Sequence, residues 1–133
     1  MRILTAHFCE EAHLDDDGKL HIHGILFDRA APGFPAKQDR MVLVLVMEWD
    51  PDDPGRYQFR VDLEGGGDKP SFSVEGHTDV GRRPGDLTPP RTYLITPVED
   101  TVFPEAGLYQ LKIRVKGETH AGPTLRLVEA TEA

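Results

Sequence analysis

Apolar and polar residues alternate with a period of two along most of this chain, and Gly and Pro interrupt the alternation at short intervals. A period of two is typical of β-strands, whereas an amphipathic helix needs a period near 3.6. The pattern predicts no helix beyond one helical turn somewhere in residues 97–106. It predicts strands over residues 3–14, 19–27, 40–49, 57–63, 72–74, 91–102, 109–115 and 124–129.

The segment 40–49 is the clearest of these strands, because its centre reads Met-Val-Leu-Val-Leu-Val-Met. A segment that is apolar at both odd-numbered and even-numbered positions is typical of a central strand covered on both faces. Residues 28–39 carry Pro32, Gly33 and Pro35 and are predicted to form a loop, as are residues 79–90.

About eight strands without helices to cover a parallel sheet indicate an all-β fold, either an antiparallel sandwich or a barrel. We expect the two-sheet sandwich. The length is that of one domain, so residues 1–133 are predicted to form a single β-sandwich domain. A corner at Pro104 and Gly107 leads into an alternating strand with an early Tyr109, and this resembles the start of strand F in immunoglobulin-like domains. We therefore expect an immunoglobulin-like or related Greek-key topology; the alternative is an ordinary strand that contains a tyrosine.

The first two strands predict a hairpin whose register follows from its side chains. A three-residue loop places Gly18 at the position that needs a left-handed residue and sets Asp15 opposite Lys19. A loop one residue longer would mix apolar and polar groups on one face. In the predicted register the facing apolar pairs are Leu14–Leu20, Ala12–Ile22 and Phe8–Leu26.

This register has consequences for the polar residues of the hairpin. Glu10 falls on the core side opposite Gly24, where an unpaired carboxylate is costly, so it must reach an edge or find a partner. The other face is predicted to be open and to hold His13 opposite His21, Glu11 opposite His23, and then Cys9 and His7. The apolar residues Ile25 and Phe27 are left outside.

Two groups of residues predict metal sites. Facing residues lie about 5 Å apart, so His13, His21, His23 and Glu11 could converge on one Zn²⁺, Ni²⁺ or Cu²⁺ ion. The alternative is a solvated face that happens to hold histidines. If strands simply run up and down, alternate loops also form an acidic rim that resembles the calcium-binding end of C2-type sandwiches, although Asp is also a favoured turn residue. That rim would contain Asp15, Asp16, Asp17, Asp50, Asp52, Asp53, Asp79, Asp86, Glu118 and His120.

Composition narrows the function classes. The formal net charge of −8, with Arg82-Arg83 as the one tight basic pair, argues against nucleic acid as a partner. We expect no membrane span, because the longest apolar run is far shorter than the roughly 20 residues required, and no signal peptide. The single cysteine is consistent with a reducing cytoplasm.

Catalytic motifs are missing from the sequence. It has no Gly-x-Ser-x-Gly, no His-Glu-x-x-His and no phosphate-binding Gly-rich loop ahead of a helix. Cys9 lies in the middle of a predicted strand rather than in a pocket, so we do not expect a nucleophile there. The chain is therefore not expected to be an enzyme.

Several short motifs resemble an uncharacterised bacterial β-sandwich family of about this length. They are the residues 4–12, read Leu-Thr-Ala-His-Phe-Cys-Glu-Glu-Ala, then 17–24, read Asp-Gly-Lys-Leu-His-Ile-His-Gly, the apolar strand 42–47, and Pro-Glu-Ala-Gly-Leu-Tyr at 104–109. The resemblance implies a bacterial sandwich domain without an assigned activity.

The leading functional hypothesis is a non-enzymatic cytoplasmic interaction or scaffolding module. It would bind a protein partner or form a homodimer through an edge strand or through the exposed Ile25 and Phe27. The second hypothesis is a metal- or small-ligand-binding sandwich that uses one of the two predicted sites, with zinc or calcium as the ion.

Overall fold

A computed structural model describes residues 1–81 and 88–130 of the chain. These residues contain no helix, and so none with the length and hydropathy needed to cross a membrane. They form nine strands: β1 (Arg2–Leu14), β2 (Leu20–Leu26), β3 (Asp28–Ala31), β4 (Ala36–Glu48), β5 (Gly55–Glu64), β6 (Phe72–Val80), β7 (Arg91–Phe103), β8 (Gly107–Val115) and β9 (Glu118–Glu129).

The strands form two sheets, so the predicted all-β class is confirmed. One sheet has four strands in the order β2-β1-β4-β7, and the other has five in the order β3-β9-β8-β5-β6. All neighbours are antiparallel except β3 and β9, which are parallel.

The main core lies between the two sheets, because alternate residues of each strand face the other sheet. Leu43 and Leu45 of β4 pack there with Val61 of β5 and Ile113 of β8. At one end of the core the Trp49 indole stacks on Tyr57, with 4.6 Å between ring centroids, and donates a hydrogen bond to Thr92.

The strand β4 is buried on both sides, as its apolar sequence predicts. It lies between β1 and β7, and every residue from Met41 to Glu48 is buried. Its odd-numbered residues face the main core, whereas Val42 and Val44 belong to a separate cluster with Cys9 on the outer face of the sheet. Here the outer face of a sheet is the side turned away from the other sheet.

The predicted loop 28–39 is wrong in part. It contains the short strand β3 and the first residues of β4, which begins at Ala36. Neither segment alternates clearly; their strand conformation comes from backbone pairing of β3 with β9 and of β4 with β7. Pairing likewise extends β6 to Val80 and starts β9 at Glu118. The helical turn allowed in residues 97–106 is not formed, because β7 continues to Phe103.

The predicted tyrosine corner is present at the start of β8. The Tyr109 hydroxyl donates a hydrogen bond to the Glu105 carbonyl oxygen at 2.7 Å, which closes the corner onto the strand that follows it. Burial raises the pKa of Tyr109, so the hydroxyl stays protonated and able to donate.

The hairpin register is confirmed. The paired residues are Phe8–Leu26, Cys9–Ile25, Glu11–His23, Ala12–Ile22, His13–His21 and Leu14–Leu20. Gly18 adopts a φ of 79°, and its N–H donates to the Asp15 carbonyl at 3.0 Å, as the three-residue loop requires.

Candidate functional site

The four predicted metal ligands lie on one exposed surface of the β1–β2 hairpin. The imidazoles of His13 and His21 stack with 4.8 Å between centroids, and His13 stacks on His23 at 6.0 Å. Glu11 is the cross-strand partner of His23. The sequence therefore placed these side chains together correctly.

The stacked arrangement does not by itself form a metal site. Ring nitrogens lie in the plane of each imidazole, and nearly parallel rings direct them side by side rather than toward one point. Within residues 1–81 and 88–130, no group of three or more His, Cys, Asp or Glu side chains is arranged to hold an ion. Zinc binding by His13, His21, His23 and Glu11 stays a prediction.

Sequence reasoning missed that Asp15 contacts His21. Its Oδ2 lies 2.7 Å from His21 Nε2, while its Oδ1 accepts the backbone N–H groups of Asp17 and Lys19 at 2.9 Å. The hydrogen bond from His21 is the main reason that the pKa of Asp15 is lowered. Asp15 thus fixes both the turn and the orientation of one imidazole; its expected pairing with Lys19 is through the backbone of Lys19.

The predicted acidic rim is divided between the two ends of the sandwich, so this prediction is wrong. β1 and β4 are antiparallel, with Arg2 beside Glu48, so the turn after β1 and the turn after β4 lie at opposite ends. The sequence did not predict β3, which lies between β2 and β4 along the chain. Because of this additional strand, β4 and the strands after it run in the direction opposite to the one expected. Asp86 lies outside the described residues. Asp15, Asp16 and Asp17 occupy one end, and Asp50, Asp52, Asp53, Asp79 and Glu118 the other.

The carboxylate of Asp53 already has an ion-pair partner and a backbone hydrogen bond. Lys116 Nζ lies 2.5 Å from Asp53 Oδ1, and the backbone N–H of Asp50 donates to Asp53 Oδ2 at 3.0 Å. The hydrogen bond from Lys116 is the largest of the effects that lower the pKa of this buried carboxyl to about 2. A carboxylate that is already neutralised by an ammonium group is a poor ligand for calcium.

The hairpin bends sharply between its two halves. Phe8 and Leu26 pack in the main core, but Ala12, Leu20 and Ile22, which have the same parity, pack on the outer cluster of Cys9, Val42 and Val44. Same-parity residues of a regular strand share one face. The distal hairpin, defined here as residues 11–23, must therefore fold back over the outer face of its own sheet.

The bend lies at Glu10 and Gly24. Gly24 has a φ of 68°, which favours glycine, and a Cβ added there would lie 2.8 Å from Cγ and Cδ of Glu10. The Glu10 side chain thereby leaves the core and reaches solvent, beside an open groove of about 480 Å³ that also contains Arg29 and Arg40.

Cys9 is fully buried beneath the distal hairpin, which corrects the prediction of an open face. Its thiol lies 3.6 Å from the Val42 carbonyl oxygen, and burial raises the pKa of the thiol. A thiol with a raised pKa and no exposure is a poor nucleophile.

The distal hairpin leaves the rest of this outer face uncovered. We call the whole outer face of the four-stranded sheet the apolar face. Its row Thr5–Val46–Tyr93 lies beyond the hairpin, whereas Val44 of the row His7–Val44–Ile95 and both Cys9 and Val42 of the row Cys9–Val42–Pro97 lie beneath it. Tyr93 and Ile25 are more than a third exposed, as is Leu4, which lies next to Thr5 in β1. The predicted exposure of Ile25 and Phe27 is confirmed, and Phe27 is 68% exposed.

An ion-pair row closes the apolar face at the end opposite the distal hairpin. Glu48 accepts hydrogen bonds from Arg2 and Arg91, both with Nε at 3.1 Å. Desolvation disfavours the charged form of Glu48, but the bonds from Arg91 and Arg2 outweigh it and lower its pKa. The face is thus an apolar surface with a polar border in which one glutamate is paired with two arginines.

The outer face of the five-stranded sheet has the opposite character, and we call it the charged face. Asp62 is buried there between two arginines: Arg60 Nε donates to both of its oxygens at 3.1 Å, and Arg114 Nη1 lies 2.5 Å from Oδ2. The Ser73 hydroxyl also donates to Asp62, and Glu75 pairs with the outer side of Arg60. Asp62 separates the two arginines, which are direct cross-strand partners.

Comparison with known proteins assigns the chain to a family. Neither the curated proteins nor the solved structures contain a significant match to this chain. A family model described as a family of unknown function, DUF6941, matches residues 4–128, which confirms the resemblance to an uncharacterised family. The match spans all nine strands almost end to end, and the chain belongs to the DUF6941 family.

Proposed function

We propose that this domain is a non-enzymatic interaction module that binds a second copy of itself through the apolar face. The main observation behind the proposal is that Tyr93, Ile25 and Leu4 are exposed and surround a group of buried valines. Outward positions of a solvated antiparallel sheet are normally polar, and contiguous apolar surface with a polar border is typical of interaction sites.

Charge selects the apolar face as the surface through which two copies can meet. The chain has a formal net charge of −8, so two copies repel one another over most of their surfaces. The rows of the apolar face between the Glu48 ion pairs and the distal hairpin hold no Asp, Glu, Lys or Arg. Two such faces related by a two-fold axis meet without opposing like charges, as an isologous contact requires.

The location and the finer fold class belong to the same proposal. A cytoplasmic location is supported by the single cysteine, which is a free thiol. An immunoglobulin-like topology is supported by the pairing of β4 with β7, as strands B and E pair, and by the neighbours β5, β8 and β9, which correspond to C, F and G. Tyr109 occupies the corner expected at the start of strand F.

Self-association is tested by light scattering over a concentration series. The wild-type chain is expected to show twice the mass of one chain, and Tyr93→Lys/Ile25→Lys is expected to be monomeric, because it places charges in the contact. Leu108→Lys is the matched control: Leu108 is 50% exposed on the outer face of the five-stranded sheet, so the dimer should persist. A monomeric wild type at high micromolar concentration, or a dimer that survives both lysines, contradicts the proposal.

A second candidate function is binding of Zn²⁺ or another transition metal by the histidines of the hairpin. It is favoured by the contact between Asp15 and His21, because a carboxylate that holds one imidazole nitrogen leaves the other free for a metal. Rotation of the exposed rings would still be needed. Thermal unfolding with and without Zn²⁺ tests it: the wild type should be stabilised and His21→Ala/His23→Ala should not. Equal responses contradict it.

A further inference from the structure

The distal hairpin is attached to the rest of the domain by few interactions. Backbone pairing between β1 and β4 ends at Cys9 and Val42, so in the part of the chain that the structure describes residues 11–23 pair only within the hairpin. Their contact with the sheet is through Ala12, Leu20 and Ile22, and each of these is only partly buried. Segments that open locally are typically little buried and have no backbone pairing with the rest of the sheet.

The residues beneath the distal hairpin are more completely buried than the hairpin residues that contact them. Cys9 and Val44 are fully buried and Val42 almost so, and they continue the rows of the apolar face. The bend that allows the hairpin to fold over them is localised at one facing pair, Glu10 and Gly24, where the glycine has a positive φ. A localised bend with a glycine is a suitable hinge.

We propose that the distal hairpin is a flap that opens about Glu10 and Gly24 and uncovers Cys9, Val42 and Val44. Opening exposes the part of the apolar face that the flap covers, so the flap sets how much apolar surface the domain presents. The flap is a property of the single chain, and its opening does not depend on the self-association proposed above.

Cys9 reports the opening directly, because it is the chain's single cysteine and is fully buried when the flap is closed. The experiment follows the labelling rate of the folded protein with a thiol reagent over a range of urea concentrations below unfolding. Local opening gives a rate that hardly depends on urea, since little surface is exposed. Ile22→Ala removes part of the contact and should accelerate labelling about tenfold.

Two control variants separate the flap from general destabilisation. Lys19→Gln changes an exposed residue of the turn and should leave the labelling rate unchanged. Val61→Ala lowers the stability of the main core, where Val61 is fully buried, and should not change the urea-independent rate. Hydrogen exchange gives a second measurement: amides of residues 11–23 should exchange faster than those of 41–47.

The proposal is overturned if labelling of the wild type follows urea with the slope of global unfolding. It is also overturned if Ile22→Ala accelerates labelling no more than Val61→Ala does. Light scattering on the same samples reports self-association separately, so a rigid flap and a monomeric domain are distinguishable failures.

Discussion

The outer faces of the two sheets are covered by different kinds of side chain, apolar on the four-stranded sheet and charged on the five-stranded sheet. Each sheet turns one side to the shared core and must present its other side to water or to a cover. The four-stranded sheet buries Val42 and Val44 on that side under the distal hairpin and leaves Tyr93 exposed. The five-stranded sheet instead fills the same positions with charges around the buried Asp62.

The difference shows that burial on an outer face can have two physical origins. On the apolar face it comes from side chains that cover one another, so its contribution should be insensitive to salt. On the charged face Asp62 is buried by the arginines that neutralise it, and their exposed outer parts are screened by salt. A substitution at an outward-facing position therefore removes apolar packing in the four-stranded sheet and ion pairs in the five-stranded sheet.

The largest expected effect comes from truncating the apolar face. Val44→Ala should lower the free energy of unfolding by about 2–3 kcal/mol, since two fully buried methyl groups are lost from a position that points away from the main core. Gln58→Ala, an exposed residue of β5, should change it by less than about 0.5 kcal/mol. Urea denaturation measures both, and equal small effects would contradict the burial of the apolar face.

The charged face is tested by neutralising its central carboxylate. Asp62→Asn should cost about 2 kcal/mol, because the facing Arg60 and Arg114 then repel one another. Glu75→Gln removes only an exposed pair and should cost less than about 0.5 kcal/mol. The cost of Asp62→Asn should fall in high salt, whereas that of Val44→Ala should not; the reverse dependence would contradict the comparison.

A buried carboxylate outside both faces gives a pH test. The folded pKa of Asp53 is about 2, below its ordinary value, so its contribution is fully present above about pH 4 and is lost as the pH falls through about 2. Its size is about 2 kcal/mol. Lys116→Met removes the main cause of the shift, so acid unfolding should show a smaller loss of stability between pH 4 and 2. An unchanged acid transition would contradict the role of Lys116.

The smallest effect concerns the bend that brings the distal hairpin over the apolar face. Gly18 and Gly24 both have a positive φ, so alanine at either position costs about 1 kcal/mol through the backbone. Gly24→Ala should cost more than Gly18→Ala, because Glu10 lies against Gly24 and open space surrounds Gly18. Denaturation of the two variants measures the difference, and a smaller cost at Gly24 would contradict the bend.

The register of the hairpin and the conformation of its turn could be derived from sequence because they depend on local chemistry. Side-chain alternation, the Gly18 turn and the cross-strand pairs all involve residues close in the chain. The same reasoning brought the three histidines and Glu11 together. It could not find the bend at Gly24, since the benefit of bending arises from Val42 and Val44, which lie on another strand.

The sequence by itself determined the all-β class, the positions of most strands, the central place of β4 and the facing pairs of the first hairpin. These follow from hydrophobic period and turn chemistry, which act over a few residues. Tertiary structure alone decided the existence of β3, the division of the acidic turns between two ends and the burial of Cys9. Each depends on contacts between residues distant in the chain, such as β3 with β9, and no local pattern encodes such contacts.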